Sequence, residues 1–160
     1  MRKLKDEVVQ FFQSQGCVIV STIDENGSIH SSCKGIIKIA HNGKIYLLDL
    51  YQGASYRNLQ RNPVISVTAV DEHGFKGYCL QGKASLVKVN ELTSAVHSMW
   101  EAKIASRLTG RIIKNIQGQK GHPSHPEALL PQPEYLIVMQ VENCIDLTPH
   151  HLKEEGQYEQ

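Results

Sequence analysis

The chain predicts a mainly β protein, an antiparallel barrel with helices packed outside it. Five apolar, β-branched runs lie between residues 17 and 89 and a sixth at about 135–147, each of strand length. Most are joined by short turn signals, which suit antiparallel neighbours; parallel strands would need long crossovers. Helical periodicity is confined to residues 3–14, 55–61 and 91–117, so helices flank the strands instead of alternating with them.

Taken in order, Leu4, Val8, Phe11 and Phe12 recur at helical spacing and Gly16 follows as a stop. Cys17 to Ile23 is apolar and β-branched, and Asp24-Glu25-Asn26-Gly27 is a hairpin turn. On the next strand, Ser28 to Ala40, alternation places His30, Ser32, Lys34, Ile36 and Lys38 on one face. A bulge near Gly35 would shift that register. His41-Asn42-Gly43 turns the chain into the apolar run Ile45 to Leu50. Val64 to Val70 and Phe75 to Val89 read as strands around the turn Asp71-Glu72-His73-Gly74, and Gly77 and Gly82 are places for the second to bend.

Asn90 opens a helix on Leu92, Val96, Met99, Trp100, Ala105 and Leu108. Gly110 weakens it, and Ile112, Ile113 and Ile116 either continue it or form a second helix. Trp100 reads as a core or interface residue. Residues 118–134 carry four prolines and two glycines and predict a loop over the barrel, before a final strand from Tyr135 to Leu147. There is no internal repeat, so residues 1–160 are expected to form one domain.

Composition narrows the function. At 41% hydrophobic and 21% charged residues, with net charge +1, the chain has no electrostatic footprint for nucleic acid or an acidic membrane. No apolar run approaches membrane-spanning length and the N-terminus has no signal-peptide core, which makes a cytoplasmic protein the default expectation. Cys17, Cys33, Cys79 and Cys144 are far apart, form no C-x-x-C pair and sit in strand-like runs. They are expected to be buried, reduced thiols. His122, His125, His150 and His151 lack acidic or thiol partners at ligand spacing, so no metal site is expected.

The most informative stretch runs from Gly43 to Pro63. An apolar strand passes through Gly53 into a short helix, with Ser55 as the expected N-cap and Asn62-Pro63 as the stop. A helix N-terminus delivered this way favours an anion, phosphate above all. Ser55 and Tyr56 add hydroxyls, while Arg57, Lys34 and Lys38 are the candidate cations. The plainer alternative is a capped helix with a solvated arginine. No G-x-S-x-G, H-E-x-x-H or phosphate-cradling G-x-x-x-x-G-K is present, and nothing names a general base. Chemistry here would come from a bound cofactor.

The order Val18-Ile19-Val20-Ser21-Thr22-Ile23-Asp24, Gly27-Ser28-Ile29-His30, Gly43-Lys44-Ile45-Tyr46, Arg57-Asn58-Leu59-Gln60-Arg61-Asn62-Pro63-Val64-Ile65-Ser66-Val67 and Gly82-Lys83-Ala84 resembles the pyridoxamine 5′-phosphate oxidase-like, FMN-binding split barrels. The resemblance covers about residues 5–90 and lies in joint order and spacing. It implies an antiparallel split β-barrel, assembled as a homodimer with two FMN sites at the interface.

Carried over residue by residue, the resemblance implies cofactor contacts on the strand from Cys33 to Lys38, among them Cys33, Lys34, Gly35 and Lys38, and Ser32 just before it is counted as a candidate with them. It implies others at Leu48, Asp49 and Ser55, and at Gly77 and Tyr78 reaching the partner's cofactor, while Tyr56 and Arg57 are candidates from their place at the start of the helix. Asp49 stands where the family usually has a threonine, and Ser55 where it often has a phosphate-binding lysine. The C-terminal arginine–histidine substrate motif of true pyridoxamine phosphate oxidases is replaced by Asp146-Leu147-Thr148-Pro149-His150-His151. The expectation is an FMN-binding flavoprotein, an oxidoreductase on a small molecule, with vitamin salvage not expected. The alternatives are a non-catalytic carrier, store or sensor, and a barrel holding a deazaflavin or haem, both of which occur in relatives.

Overall fold

Two left-handed glycines, Gly27 at φ 80° and Gly43 at φ 79°, reverse the chain at its first two hairpins. Glycine is favoured there because a Cβ resists positive φ. The computed structural model describes residues 3–119 and 134–155. Residues 120–133, with most of the expected loop and with His122 and His125, lie outside the described residues.

The elements in chain order are α1 (Asp6–Ser14), β1 (Val18–Ile23), β2 (Ile29–Ile39), β3 (Lys44–Leu48), α2 (Ala54–Arg61), β4 (Val64–Asp71), β5 (Lys76–Lys88), α3 (Ser94–Ile116), β6 (Tyr135–Asp146) and α4 (His150–Glu155). A short 3₁₀ turn, Val89–Glu91, precedes α3, so α3 begins later than Asn90 suggests. Gly110 does not divide α3, which is one helix through Ile116. In the β4–β5 turn the left-handed residue is Phe75, at φ 48°, and not Gly74.

The six strands close into a barrel in the order β1-β2-β3-β6-β5-β4, and every pairing is antiparallel. Strand β6 explains why a distant run belongs to the barrel: it inserts between β3 and β5, closing what would otherwise be two open edges. Its continuous apolar run reflects two covered faces. Tyr135, Ile137, Met139 and Val141 point into the barrel, whereas Leu136 and Val138 join Ile37, Leu48 and Val96 beneath α3. Trp100 packs in that outer cluster.

The barrel interior is filled by alternate residues such as Val20, Ile45, Leu47, Val67 and Leu80, all fully buried. Each contributes roughly 1.5–3 kcal/mol through burial. Helix α1 adds Val8, Val9 and Phe12 to the same cluster, with Phe11 edge-on to Tyr78 at 5.1 Å. Gly82 sits where β5 and β6 shift register, and a Cβ there would meet the carbonyl oxygen of Gln140.

The cysteines depart from expectation. Cys17 and Cys33 are exposed and Cys79 and Cys144 are half-buried, with no disulfide among them. For Cys33 and Cys79 the reason is strand parity, whereas Cys17 precedes β1 and Cys144 lies opposite Leu80 against the interior cluster. Cys33 faces Ile19 across β1–β2, and Cys79 faces Thr68 across β4–β5, all on the outer surface. An apolar run shows that a strand is present but not which of its residues face out.

Candidate functional site

A bulge in β2 decides which lysine reaches the interior. Ile36 pairs with Leu47 and Lys38 with Tyr46, so the register against β3 shifts between them. Before the shift, Ser32 and Lys34 lie opposite Val20 and Val18, two interior residues. After it, Lys38 stands beside Tyr46, which packs in the outer cluster. Lys34 and Lys38 therefore take opposite faces, contrary to simple alternation.

Lys34 points into the mouth of the barrel and meets Asp49, which follows β3. Its Nζ lies 2.9 Å from Asp49 Oδ1, with the two side chains only 8% and 6% exposed. Tyr135, at the start of β6, donates its hydroxyl to Asp49 Oδ2 at 2.6 Å and lies 3.3 Å from the Tyr51 carbonyl oxygen. Burial, followed by the hydrogen bond to Asp49 and its charge, holds the Tyr135 hydroxyl protonated far above the ordinary phenol range. Tyr56, from α2, packs edge-on to Tyr135 with ring centroids 4.6 Å apart. Residues from β2, β3, β6 and α2 thus seal one end of the barrel with a buried polar cluster.

Above this cluster is a cavity of about 930 Å³ between the barrel mouth and the C-terminal half of α3. This size suits a small-molecule or cofactor ligand. Its floor includes Lys34, Asp49, Gly35 and Leu48. One wall is the start of α2, where Gly53, Ala54 and Ser55 line the space. Gly53, not Ser55, is the N-cap, and it offers no side-chain acceptor to the first-turn N–H groups. Ser55 lies inside the first turn, buried, with its hydroxyl 3.0 Å from that of Ser32. The opposite wall is α3, through Ser106, Gly110 and Lys114. His30, Cys17 and Cys33 complete the rim on the β1–β2 side.

The arrangement fits a phosphate-bearing ligand: unclaimed helix N–H groups, two serine hydroxyls and a lysine surround one volume. The α2 entry holds because Asn58 donates to Thr22 at 3.0 Å in a buried bond, locking the helix to β1.

A family model described as pyridoxamine 5′-phosphate oxidase matches residues 4–130. The chain belongs to that family. Among solved structures, this pyridoxamine 5′-phosphate oxidase family member is similar to HupZ of Group A Streptococcus, with 16% identity, a TM-score of 0.62, and 91% of this chain and 94% of that one covered. It is also similar to HutZ, the haem storage protein of Vibrio cholerae, with 20% identity, a TM-score of 0.54 and coverage of 91% and 94%. A protein related to general stress protein 26, from Clostridium acetobutylicum and of the pyridoxine phosphate oxidase family, matches with 18% identity, a TM-score of 0.54 and the same coverage. At these identities the likeness is one of fold. A search of curated proteins finds no match.

Of the residues the family resemblance singles out, the structure gathers Ser32, Cys33, Lys34, Gly35, Leu48, Asp49 and Ser55 around one cavity. Lys38 lies on the outer strand face, and Arg57 is exposed on α2; neither is among the cavity-lining residues. Tyr56 turns its ring to Tyr135, while Tyr78 is committed to the core beside Phe11. Gly77, opposite Val70, is away from the cavity within the chain. Sequence reasoning missed His30, Lys114 and Tyr135. His30 shares a strand face with Ser32 and Lys34, so alternation carried a signal for it. Lys114 and Tyr135 arrive by long-range packing and leave no local trace. Among the described residues, no group of three or more His, Cys, Asp or Glu is placed to hold a metal.

Proposed function

We propose that the chain is an FMN-binding flavoprotein that works as an oxidoreductase on a small molecule, with FMN in the cavity between the barrel mouth and α3. The observation that carries this reading is the cavity itself: a family barrel with about 930 Å³ of space, bounded by an α2 start whose first-turn N–H groups have no capping side chain. The α2 N–H groups, Ser55 and Ser32 are the residues that would hold the phosphate, with Lys114 on the opposite wall adding only a longer-range positive field, and Gly35 and Leu48 would lie against the ring system. When bound, FMN supplies reversible transfer of a hydride. The protein's part is to orient the ring, exclude water and hold the Tyr135 proton in place. With no arginine in the described segment from Asp146 through α4, vitamin salvage is not part of the proposal.

The same proposal includes a homodimer with the cofactor at the interface. Its support is a cross-strand row on the outer surface: Cys33 beside Ile19, Ile19 beside Thr68, Thr68 beside Cys79 and Cys79 beside Ile145. Ile19 is 48% and Ile145 38% exposed. Cys33 also lines the cavity rim, so a partner covering this row would close the cavity's open side. No helix among the described residues is long and apolar enough to cross a membrane.

A second reading, a non-catalytic haem barrel, is favoured by the likeness to the haem storage protein HutZ and by His30 at the cavity rim. The visible spectrum and mass of the co-purifying ligand separate the two. A flavin spectrum bleached by NADH or NADPH supports the oxidoreductase; a Soret band, or a flavin that no reductant bleaches, counts against it.

A further inference from the structure

Lys34 and Asp49 together raise a question that the proposed FMN site leaves open: what the floor of the cavity accepts. Lys34 is the cation nearest the barrel mouth, and on charge alone it would be the phosphate anchor. Its ammonium is already matched by Asp49 at 2.9 Å, and both side chains are almost wholly buried. Asp49 cannot easily turn away, because Tyr135 grips its other oxygen at 2.6 Å, and Tyr135 is itself held between Tyr56 and the Tyr51 carbonyl.

An anion brought to this floor meets a Lys34 cation already paired with the Asp49 anion. Their fields cancel, while the cost of drying a doubly charged phosphate remains. A carbonyl or N–H edge without net charge costs far less to dry there, and hydrogen bonds to the pair can offset that cost. Lys34 keeps donors beyond the one facing Asp49, and a carboxylate keeps lone pairs beyond two bonds. The other cavity-facing titratable groups, His30 and Cys33 on β2, Cys17 before β1, the exposed Tyr51 after β3 and Lys114 on α3, lie at the rim or the far wall. Among the described lining residues, Asp49 is the sole carboxylate.

We infer that Asp49 is a specificity-determining residue that masks Lys34, so that the cavity floor rejects phosphate and accepts an uncharged donor–acceptor edge such as an amide or imide. This rests on the FMN reading only for the identity of the ligand. It places the phosphate end at α2 and the uncharged pyrimidine edge of the ring on the Lys34–Asp49 floor.

The test compares the wild-type chain with Asp49→Asn and the double variant Asp49→Asn/Lys34→Met. Asp49→Asn leaves the buried Lys34 cation without its counter-ion, so thermal melts first establish that each variant is folded, and the double variant, which removes both charges, is the control for that cost. Inorganic phosphate is the probe, titrated by calorimetry, with FMN and riboflavin in parallel. Asp49→Asn unmasks the lysine and should bind phosphate about ten- to a hundredfold more tightly than wild type, the worth of one charge-assisted hydrogen bond. Adding Lys34→Met should abolish that gain. No gain in Asp49→Asn, or a gain that survives in the double variant, overturns the inference. If wild type binds neither FMN nor riboflavin while the phosphate pattern holds, the flavin reading falls and the masking of Lys34 stands.

Discussion

Tyr135 donates its hydroxyl to Asp49 across 2.6 Å, joining the first residue of β6 to a carboxylate 86 positions earlier in the chain. This bond closes the barrel mouth and fixes the acid that Lys34 depends on. Replacing Tyr135 with Phe keeps the ring packed on Tyr56 but leaves Asp49 short of a donor. Chemical denaturation should show a loss of about 1.5–3 kcal/mol, as for hydrogen bonds to charged groups.

The same bond predicts a pH effect with a defined sign. Burial and Asp49 raise the Tyr135 hydroxyl above its unfolded value, so the folded chain holds that proton more tightly. Its contribution is complete below about pH 10, the ordinary phenol value, and is lost as pH rises beyond it. Wild-type stability measured from pH 8 to 11 should fall more steeply above that point than that of Tyr135→Phe. Parallel curves would remove Tyr135 from the account.

The α2 wall and Lys114 should act on the phosphate and not on the ring. Ser55→Ala removes a hydrogen bond to the charged phosphate of about 1.5–3 kcal/mol, roughly ten- to a hundredfold in FMN affinity. Lys114→Ala removes an exposed charge of about 0.2–1 kcal/mol, an effect that added salt should erase. Riboflavin, which lacks the phosphate, should be nearly indifferent to the lysine change. Equal losses for both ligands would move the phosphate elsewhere.

Gly82 is a packing constraint independent of the ligand. A Cβ at this position would run into the Gln140 carbonyl, which is fixed in the β6 ladder. Gly82→Ala should cost about 1–3 kcal/mol, the usual toll of overpacking, and an unchanged melting temperature would contradict the β5–β6 register.

How much of this was legible in the sequence depends on whether the signal was local. The barrel was: alternation and turn residues such as Gly27 and Gly43 mark each hairpin. The start of α2 was legible in place but not in detail, because Gly53 caps it and Ser55 turns inward to Ser32. Lys34 and Lys38 show the limit most clearly. Spacing puts them on one face, and the bulge after Ile36 separates them. The outward-facing cysteines fail for a related reason, since face is set by pairing. Tyr135 as the partner of Asp49 required knowing that β6 inserts beside β3, which no local pattern reveals.

The outer row through Ile19 predicts assembly. Ile19→Asp places a charge within it, between Cys33 and Thr68, and should convert a dimer to a 17.9 kDa monomer in sedimentation. A wild-type chain that already sediments as a monomer at micromolar concentration would remove the interface from the proposal.

The central claim, that the cavity above Lys34 and Asp49 is an FMN site, is tested most directly by titrating FMN into ligand-free protein while following flavin fluorescence and native mass together. The account predicts saturation at one FMN per chain, with weaker binding in Ser55→Ala. Free-flavin fluorescence that stays unchanged through a protein excess, with no flavin-bearing mass, would contradict it.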